Sequence, residues 1–140
     1  MAKKTSKPKH IYQLEIWLAE IEPRIWRKFD VPSDIRLDKL HEVIQAVMGW
    51  TDSHLHSFSA GEDEYGMPDL DEDMYDNGMM DETKARLTDL VTRPKDRFMY
   101  TYDYGDNWEH IIELVDIKEP QPDVKYPVCL AGERACPPED

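Results

Sequence analysis

Alternating apolar and polar positions predict two β-hairpins in this chain. In residues 11–18 (IYQLEIWL) nearly every second side chain is apolar, and the alternation returns in residues 24–31 before Pro32 ends it. Residues 98–104 and 108–117 alternate in the same way on either side of the turn sequence Gly-Asp-Asn. We therefore expect one hairpin near each end of the chain.

Between the hairpins, the spacing of apolar residues predicts an amphipathic helix. The side chains that repeat at i, i+3, i+4 and i+7 are Leu37, Leu40, His41, Ile44, Val47 and Met48. Gly49 follows them, at the position where a helix commonly ends in a left-handed residue. The start of the helix is less sharply defined, because Asp34 could cap an earlier turn and Arg36 is a poor cap.

The remaining segments give weaker patterns. Residues 54–60 predict a short third strand, and residues 85–91 fit either a strand or one or two helical turns. Residues 61–83 include ten carboxylates and no Lys or Arg before residue 84, so we expect a mobile acidic excursion without regular structure. From residue 119 onward frequent prolines predict an extended segment that wraps over the sheet.

These elements predict a single α+β domain over residues 10–140, preceded by a basic disordered tail at residues 1–9. A chain of 140 residues suits one hydrophobic core. We expect a mixed or antiparallel sheet of about five strands with one main helix packed on a face. A hairpin followed by a helix also suggests, by analogy, a β-grasp-like arrangement.

The charge balance narrows the partners that we expect. The net charge is −13, and the four lysines of the tail leave the rest of the chain more negative still. Because nucleic-acid binding depends on neutralising phosphates, direct binding to DNA or RNA is disfavoured and a basic protein partner is favoured. The chain has no apolar stretch of membrane-spanning length and no secretory signal, so we expect a soluble, cytoplasmic protein with no membrane contact.

Four sequence blocks resemble one known family. They are residues 25–32 (IWRKFDVP), residues 37–50 (LDKLHEVIQAVMGW) with 54–58 (HLHSF), residues 102–110 (YDYGDNWEH) and residues 126–140 (YPVCLAGERACPPED). Together they resemble the plasmid pRiA4b Orf-3-like family, whose members are often labelled as insertion-element passengers and in some cases as resolvases. The resemblance implies a mobile-element association without an established activity. It also leaves open whether a carboxyl-terminal family element follows Asp140.

The resolvase label does not fit the residues of this chain. A serine recombinase needs a nucleophilic Ser among arginines and a basic DNA-binding helix, and no serine here has that setting.

Residues 102–110 are the densest cluster of functional groups. Asp103, Asp106 and His110 are candidates for a general acid or base at a hairpin tip. The candidate binding residues are the aromatic side chains Trp50, Tyr102, Tyr104 and Trp108. The alternative is structural, since Asp and Asn in turns often bond their own backbone and Tyr and Trp often pack at sheet edges.

A metal site is a further hypothesis. His54, His56 and His110 lie on predicted strands and could converge on zinc or another divalent metal. The spacing is not specific, because no Cys-x-x-Cys or His-Glu-x-x-His sequence is present. The competing interpretation is that His41 and His110 are hydrogen-bonded to backbone or carboxylate groups at the rim of the core, and then no cofactor is needed.

Two functions therefore stand as hypotheses. The first is a non-enzymatic protein-interaction module that is associated with a mobile element and binds a basic partner. The second is a metal-dependent hydrolase built on His54, His56, Asp106 and His110.

Overall fold

A computed structural model describes residues 10–51, 55–66, 79–103 and 108–133 of the protein. Eight strands form one sheet in the spatial order β5-β4-β3-β6-β7-β1-β2-β8. The strands are β1 (Ile11–Leu18), β2 (Trp26–Pro32), β3 (His56–Ala60), β4 (Asp63–Gly66), β5 (Met79–Asp81), β6 (Arg97–Tyr102), β7 (Trp108–Lys118) and β8 (Val128–Glu133). Neighbouring strands are antiparallel except β4 and β5, which are parallel.

The predicted fold class is wrong. We expected an α+β domain with a sheet of about five strands, whereas the sheet has eight strands and dominates the fold. The β-grasp analogy fails with it, since β1 and β7 in the centre of the sheet are antiparallel. Two of the additional strands lie within the run expected to be unstructured, and the third lies in the proline-rich segment after residue 119.

Position in the sheet explains why these three strands form. Two of them, β5 and β8, are edge strands, where short length and nearby proline are tolerated because only one side of the strand must pair. The third, β4, is anchored by Tyr65, which is 6% exposed and pairs directly with Phe58 of β3. The interval 67–78 of the acidic run lies outside the described residues.

One α-helix, α1 (Leu37–Met48), has the predicted bounds. No side chain caps its first turn, but the N–H of Leu37 donates to the carbonyl of Ala85 at 3.0 Å. A tertiary contact thus satisfies a helix-end donor that the sequence leaves without a side-chain cap. Residues 85–91, which fitted either a strand or helical turns, contain the 3-10 turn Leu87–Asp89.

The two faces of the sheet have different roles. The face that packs against α1, which we call the helix face, is buried and includes Leu14, Ile16, Phe29, Phe98, Tyr100 and Ile112. The opposite face, which we call the open face, carries the alternate residues of the same strands, including Glu15, Trp17, Arg97, Met99, Ile111 and Glu113. No helix in the described part of the chain is long and apolar enough to span a membrane.

Candidate functional site

Three of the predicted binding residues meet where α1, β6 and β7 come together. Trp50 follows the end of α1, Tyr102 ends β6 and Trp108 begins β7. The ring of Trp50 lies 5.3 Å from that of Tyr102 and 6.2 Å from that of Trp108, measured between centroids. These separations are typical of interacting aromatic rings. We call these three residues, together with His110, the aromatic corner.

The exposure of these residues decides which of them a partner could touch. Trp50 is 6% exposed and Tyr102 is fully buried, whereas Trp108 is partly exposed. Leu55 is 62% exposed, and its carbonyl accepts a 2.8 Å hydrogen bond from the N–H of Asp103, the residue after Tyr102. The aromatic corner is therefore mostly buried, and the exposed Leu55 is linked to it only through the backbone of Asp103, the residue after Tyr102.

His110 is the histidine of the aromatic corner, and its protonation state follows from its neighbours. The indole N–H of Trp50 can only donate, so Nε2 of His110 accepts this 3.2 Å bond. Nδ1 then carries the proton and donates to the carbonyl of Tyr100 at 3.0 Å. Burial lowers the pKa of His110 to about 4, and backbone hydrogen bonds only partly offset this effect. His110 is therefore neutral near pH 7, with both ring nitrogens engaged.

The two aspartates proposed as acids or bases are placed differently. Asp103 is 5% exposed and has a left-handed backbone, with φ of 66°, a conformation that Asp adopts more readily than most residues. It lies next to the aromatic corner through its bond to Leu55. Asp106 lies outside the described residues, as do Tyr104 and His54. The described part of the site therefore contains Asp103 and His110 from the predicted acid-base set.

A second polar group lies under α1, and we call it the buried histidine cluster. It consists of His41, Gln45, His56, Glu82 and Tyr100. The rings of His41 and His56 stack with centroids 3.5 Å apart, and Nε2 of His56 lies 2.7 Å from a carboxylate oxygen of Glu82.

Hydrogen bonds orient the Tyr100 hydroxyl within this cluster. Gln45 Nε2 donates to that hydroxyl at 2.8 Å, and the hydroxyl also shares a 2.7 Å hydrogen bond with His41 Nδ1. The cluster thus joins α1 to β3, β6 and the 3-10 turn Glu82–Lys84.

Sequence reasoning missed most of this cluster. Glu82 lies in an acidic run that we expected to be mobile, and Gln45 and Tyr100 belong to no motif. The available signals were His41 on the apolar stripe of the helix, which indicated a buried polar partner, and His56, which was singled out as a candidate metal ligand.

The described residues do not assemble a metal centre. They include no group of three or more His, Cys, Asp or Glu side chains that could hold a metal. His56 and His110 stand on β3 and β7, with β6 between them. Their backbones are therefore separated by two strand spacings, or about 10 Å across the sheet. The metal hypothesis stays a prediction where it depends on His54 and Asp106, which the structure does not describe.

The chain is similar to proteins whose descriptions state no activity. It is 39% identical over 134 residues to the uncharacterized protein y4hQ of Sinorhizobium fredii. That alignment covers 93% of this chain and 66% of y4hQ. It is 37% identical to MM3350 of Methanosarcina mazei Go1, a protein of unknown function whose crystal structure matches with a TM-score of 0.83. That match covers 94% of this chain and 73% of MM3350. Because the family model matches residues 10–140, the chain belongs to the plasmid pRiA4b ORF-3-like protein family.

Proposed function

We propose that this protein is a non-enzymatic interaction module that binds a basic protein partner through the aromatic corner. The observation that carries the proposal is the exposed Leu55, whose carbonyl is bonded to Asp103 directly after Tyr102, together with the partly exposed Trp108, whose ring lies 6.2 Å from that of Trp50. Aromatic residues that are well packed by their neighbours are typical of the few residues that contribute most of the binding energy at protein interfaces. The association with insertion elements implied by the family resemblance belongs to this proposal.

The charge of the chain supports a basic partner. The net charge is −13, and residues 41–83 contain no Lys or Arg. This interval includes Trp50 and Leu55, so no Lys or Arg side chain of the interval repels a positively charged partner. Electrostatic attraction of this kind chiefly raises the association rate and is screened by salt.

The geometry gives less support to the hydrolase hypothesis. His110 is neutral at physiological pH, but its two nitrogens bond to Trp50 and to the Tyr100 carbonyl. A general base needs an available nitrogen within reach of the substrate proton. The interaction module is therefore the function that the described contacts favour.

Site-specific photo-crosslinking in the native host tests the proposal. A photoreactive phenylalanine derivative replaces Leu55 in one variant and Val124 in a control variant, since Val124 is also exposed but lies between β7 and β8. We expect the variant at position 55 to capture a defined basic protein that the control does not capture. Equal capture at both positions, or capture of acidic proteins alone, would contradict the proposal.

Purified components then test the energetics. We expect Leu55→Ala to weaken binding of the captured partner by about tenfold, as loss of one apolar anchor does at an interface. Val124→Ala should leave the affinity unchanged, and raising the salt concentration should weaken the wild-type complex. An unchanged affinity in Leu55→Ala would remove the aromatic corner as the contact surface.

A further inference from the structure

The open face of the sheet carries an apolar row that runs across four strands. Strand register places these side chains next to one another in the order Trp26, Trp17, Ile111 and Met99. A charged row lies beside it, in the order Lys28, Glu15, Glu113 and Arg97. Since α1 packs on the other face, both rows lie on the side of the sheet that the helix leaves uncovered.

Two arginines cover the tryptophan at the centre of the apolar row. The guanidinium carbons of Arg24 and Arg97 lie 4.4 Å and 5.1 Å from the ring centroid of Trp17, which is only 7% exposed. Nε of Arg97 donates to a Glu113 carboxylate oxygen at 2.8 Å. Among the described residues, Glu113 is the one carboxylate within 4.0 Å of either guanidinium. Arg24 thus adds one positive charge next to a charged row that contains two cations and two carboxylates.

A cleft of about 300 Å³ opens beside Arg97. Its lining includes Ser59, Ala60, Gly61, Arg97, Met99 and Ile111. The lining is mostly apolar, and Arg97 is the one charged residue among the residues that line it. A volume of this size lies at the lower end of the range for small-molecule sites, and a mostly apolar lining with one placed charge is typical of them.

We propose that this cleft binds a small aliphatic carboxylate. The apolar body of the ligand packs against Met99 and Ile111, and its carboxylate bonds to the outer N–H groups of the Arg97 guanidinium. Arginine carries five N–H donors in a planar fork, and Glu113 receives one of them through Nε. The terminal nitrogens can therefore bind a second carboxylate with two parallel hydrogen bonds. Arg24, whose guanidinium also lies over the Trp17 ring, adds a second positive charge.

This proposal concerns a different surface from the aromatic corner, so each can fail without the other. The proposal requires that the cleft recognise both the negative charge and the aliphatic chain of the ligand. Hexanoate is the probe, acetate is the control that lacks the apolar body, and hexanamide is the control that lacks the charge. Binding is followed by the NMR signals of the Met99 and Ile111 methyl groups in the full chain.

We expect saturable shifts of these methyl signals with hexanoate, and at least tenfold weaker binding of acetate and of hexanamide. Equal affinity for hexanoate and hexanamide would overturn the role of the guanidinium. Equal affinity for hexanoate and acetate would overturn the role of the apolar lining. The absence of saturable shifts with hexanoate would overturn the site itself.

Three variants test the residues of the site. Arg97→Gln should weaken hexanoate binding at least tenfold, whereas Arg36→Gln should have no effect, although Arg36 is also hydrogen-bonded to a carboxylate, that of Asp38. Glu113→Gln should strengthen binding severalfold, because it removes the competing carboxylate and keeps the guanidinium. Weaker binding in Glu113→Gln would overturn the assignment. This variant retains Arg97 and so remains informative if Arg97→Gln loosens the sheet.

Discussion

At the residue scale, burial decides the chemistry of His110. Its ring is fully buried against Trp50 and Tyr100, where a charged imidazolium would lose its hydration without gaining a carboxylate partner among the described residues. The neutral ring instead accepts from the Trp50 indole and donates to a backbone carbonyl. A residue that looked like a candidate catalyst in the sequence thus joins the end of α1 to the centre of the sheet.

This assignment predicts a pH dependence of stability. The pKa of His110 in the fold is about 4, below its ordinary value of 6.5, so the unfolded chain binds more protons between these pH values. Its contribution to stability is therefore complete above about pH 6.5 and declines as the pH falls toward 4. The decline amounts to about 3 kcal/mol. Urea unfolding of the wild type and of His110→Gln from pH 7 to pH 4 measures it.

His110→Gln should lose less stability over this pH range than the wild type, because glutamine does not titrate. The difference between the two slopes isolates His110 from the many carboxylates that also take up protons. Identical slopes, or an NMR titration of His110 with a midpoint near 6.5, would show that the ring is accessible to protons in the folded state.

At the scale of elements, the end of α1 depends on one glycine. Gly49 has φ of 82°, and its N–H donates to the carbonyl of Gln45 at 3.0 Å. Nothing lies within 4 Å of a Cβ added at this position, so a side chain would cause backbone strain without a clash. The side chain of Arg27 reinforces the same end by donating to the carbonyl of Val47 at 2.9 Å.

We expect Gly49→Ala to destabilise the protein by about 1 kcal/mol, because alanine resists the left-handed conformation. Gly49→Asn should cost less, since asparagine adopts that conformation more easily. Urea unfolding of both variants gives the comparison. Equal stability of the alanine variant and the wild type would mean that the helix ends differently in solution.

A buried hydrogen bond fastens the 3-10 turn Glu82–Lys84 to β3. The side chains of His56 and Glu82 are 2% and 3% exposed and lie 2.7 Å apart. We expect Glu82→Ala to cost about 1–3 kcal/mol, because the buried His56 ring loses this hydrogen bond. In the control, Glu42→Ala breaks the exposed Lys39–Glu42 pair and should cost less than about 1 kcal/mol. Similar losses in the two variants would contradict the buried position of Glu82.

At the scale of the whole molecule, strand order sets where the fold opens first. The central strands β1 and β7 pair with neighbours on both sides, whereas β5 and β8 are edge strands. Opening an edge strand breaks one ladder of hydrogen bonds, while opening a central strand breaks two and exposes the core. Local stability should therefore decrease from the centre of the sheet toward its edges.

Native-state hydrogen exchange tests this gradient. We expect amides of β1 and β7 to exchange most slowly, and amides of β5 to exchange first, because β5 has only three residues. Amides of β8 should exchange faster than those of β2, its one neighbour. Protection of β8 equal to that of β1 would show that another part of the assembly covers this edge.

Comparison of the predicted and observed elements shows which features local sequence controls. The first hairpin, α1 and the second hairpin have clear periodicity over many residues, and they form close to their predicted bounds. Gly49 was likewise identifiable, because the left-handed conformation favours one residue type. The sequence also suggested Trp50, Tyr102 and Trp108 as candidate binding residues, but it did not predict their mutual contacts, since Trp50 and Trp108 are far apart in the chain.

By itself, the amino-acid sequence determined the local periodicity, the acidic charge and the family resemblance of this protein. Tertiary structure alone decided the recruitment of β4, β5 and β8, the pairing of His56 with Glu82 and the neutral state of His110. The physical reason is that periodicity reports which face of an element is buried, whereas strand pairing and buried hydrogen bonds depend on partners that are distant in the chain.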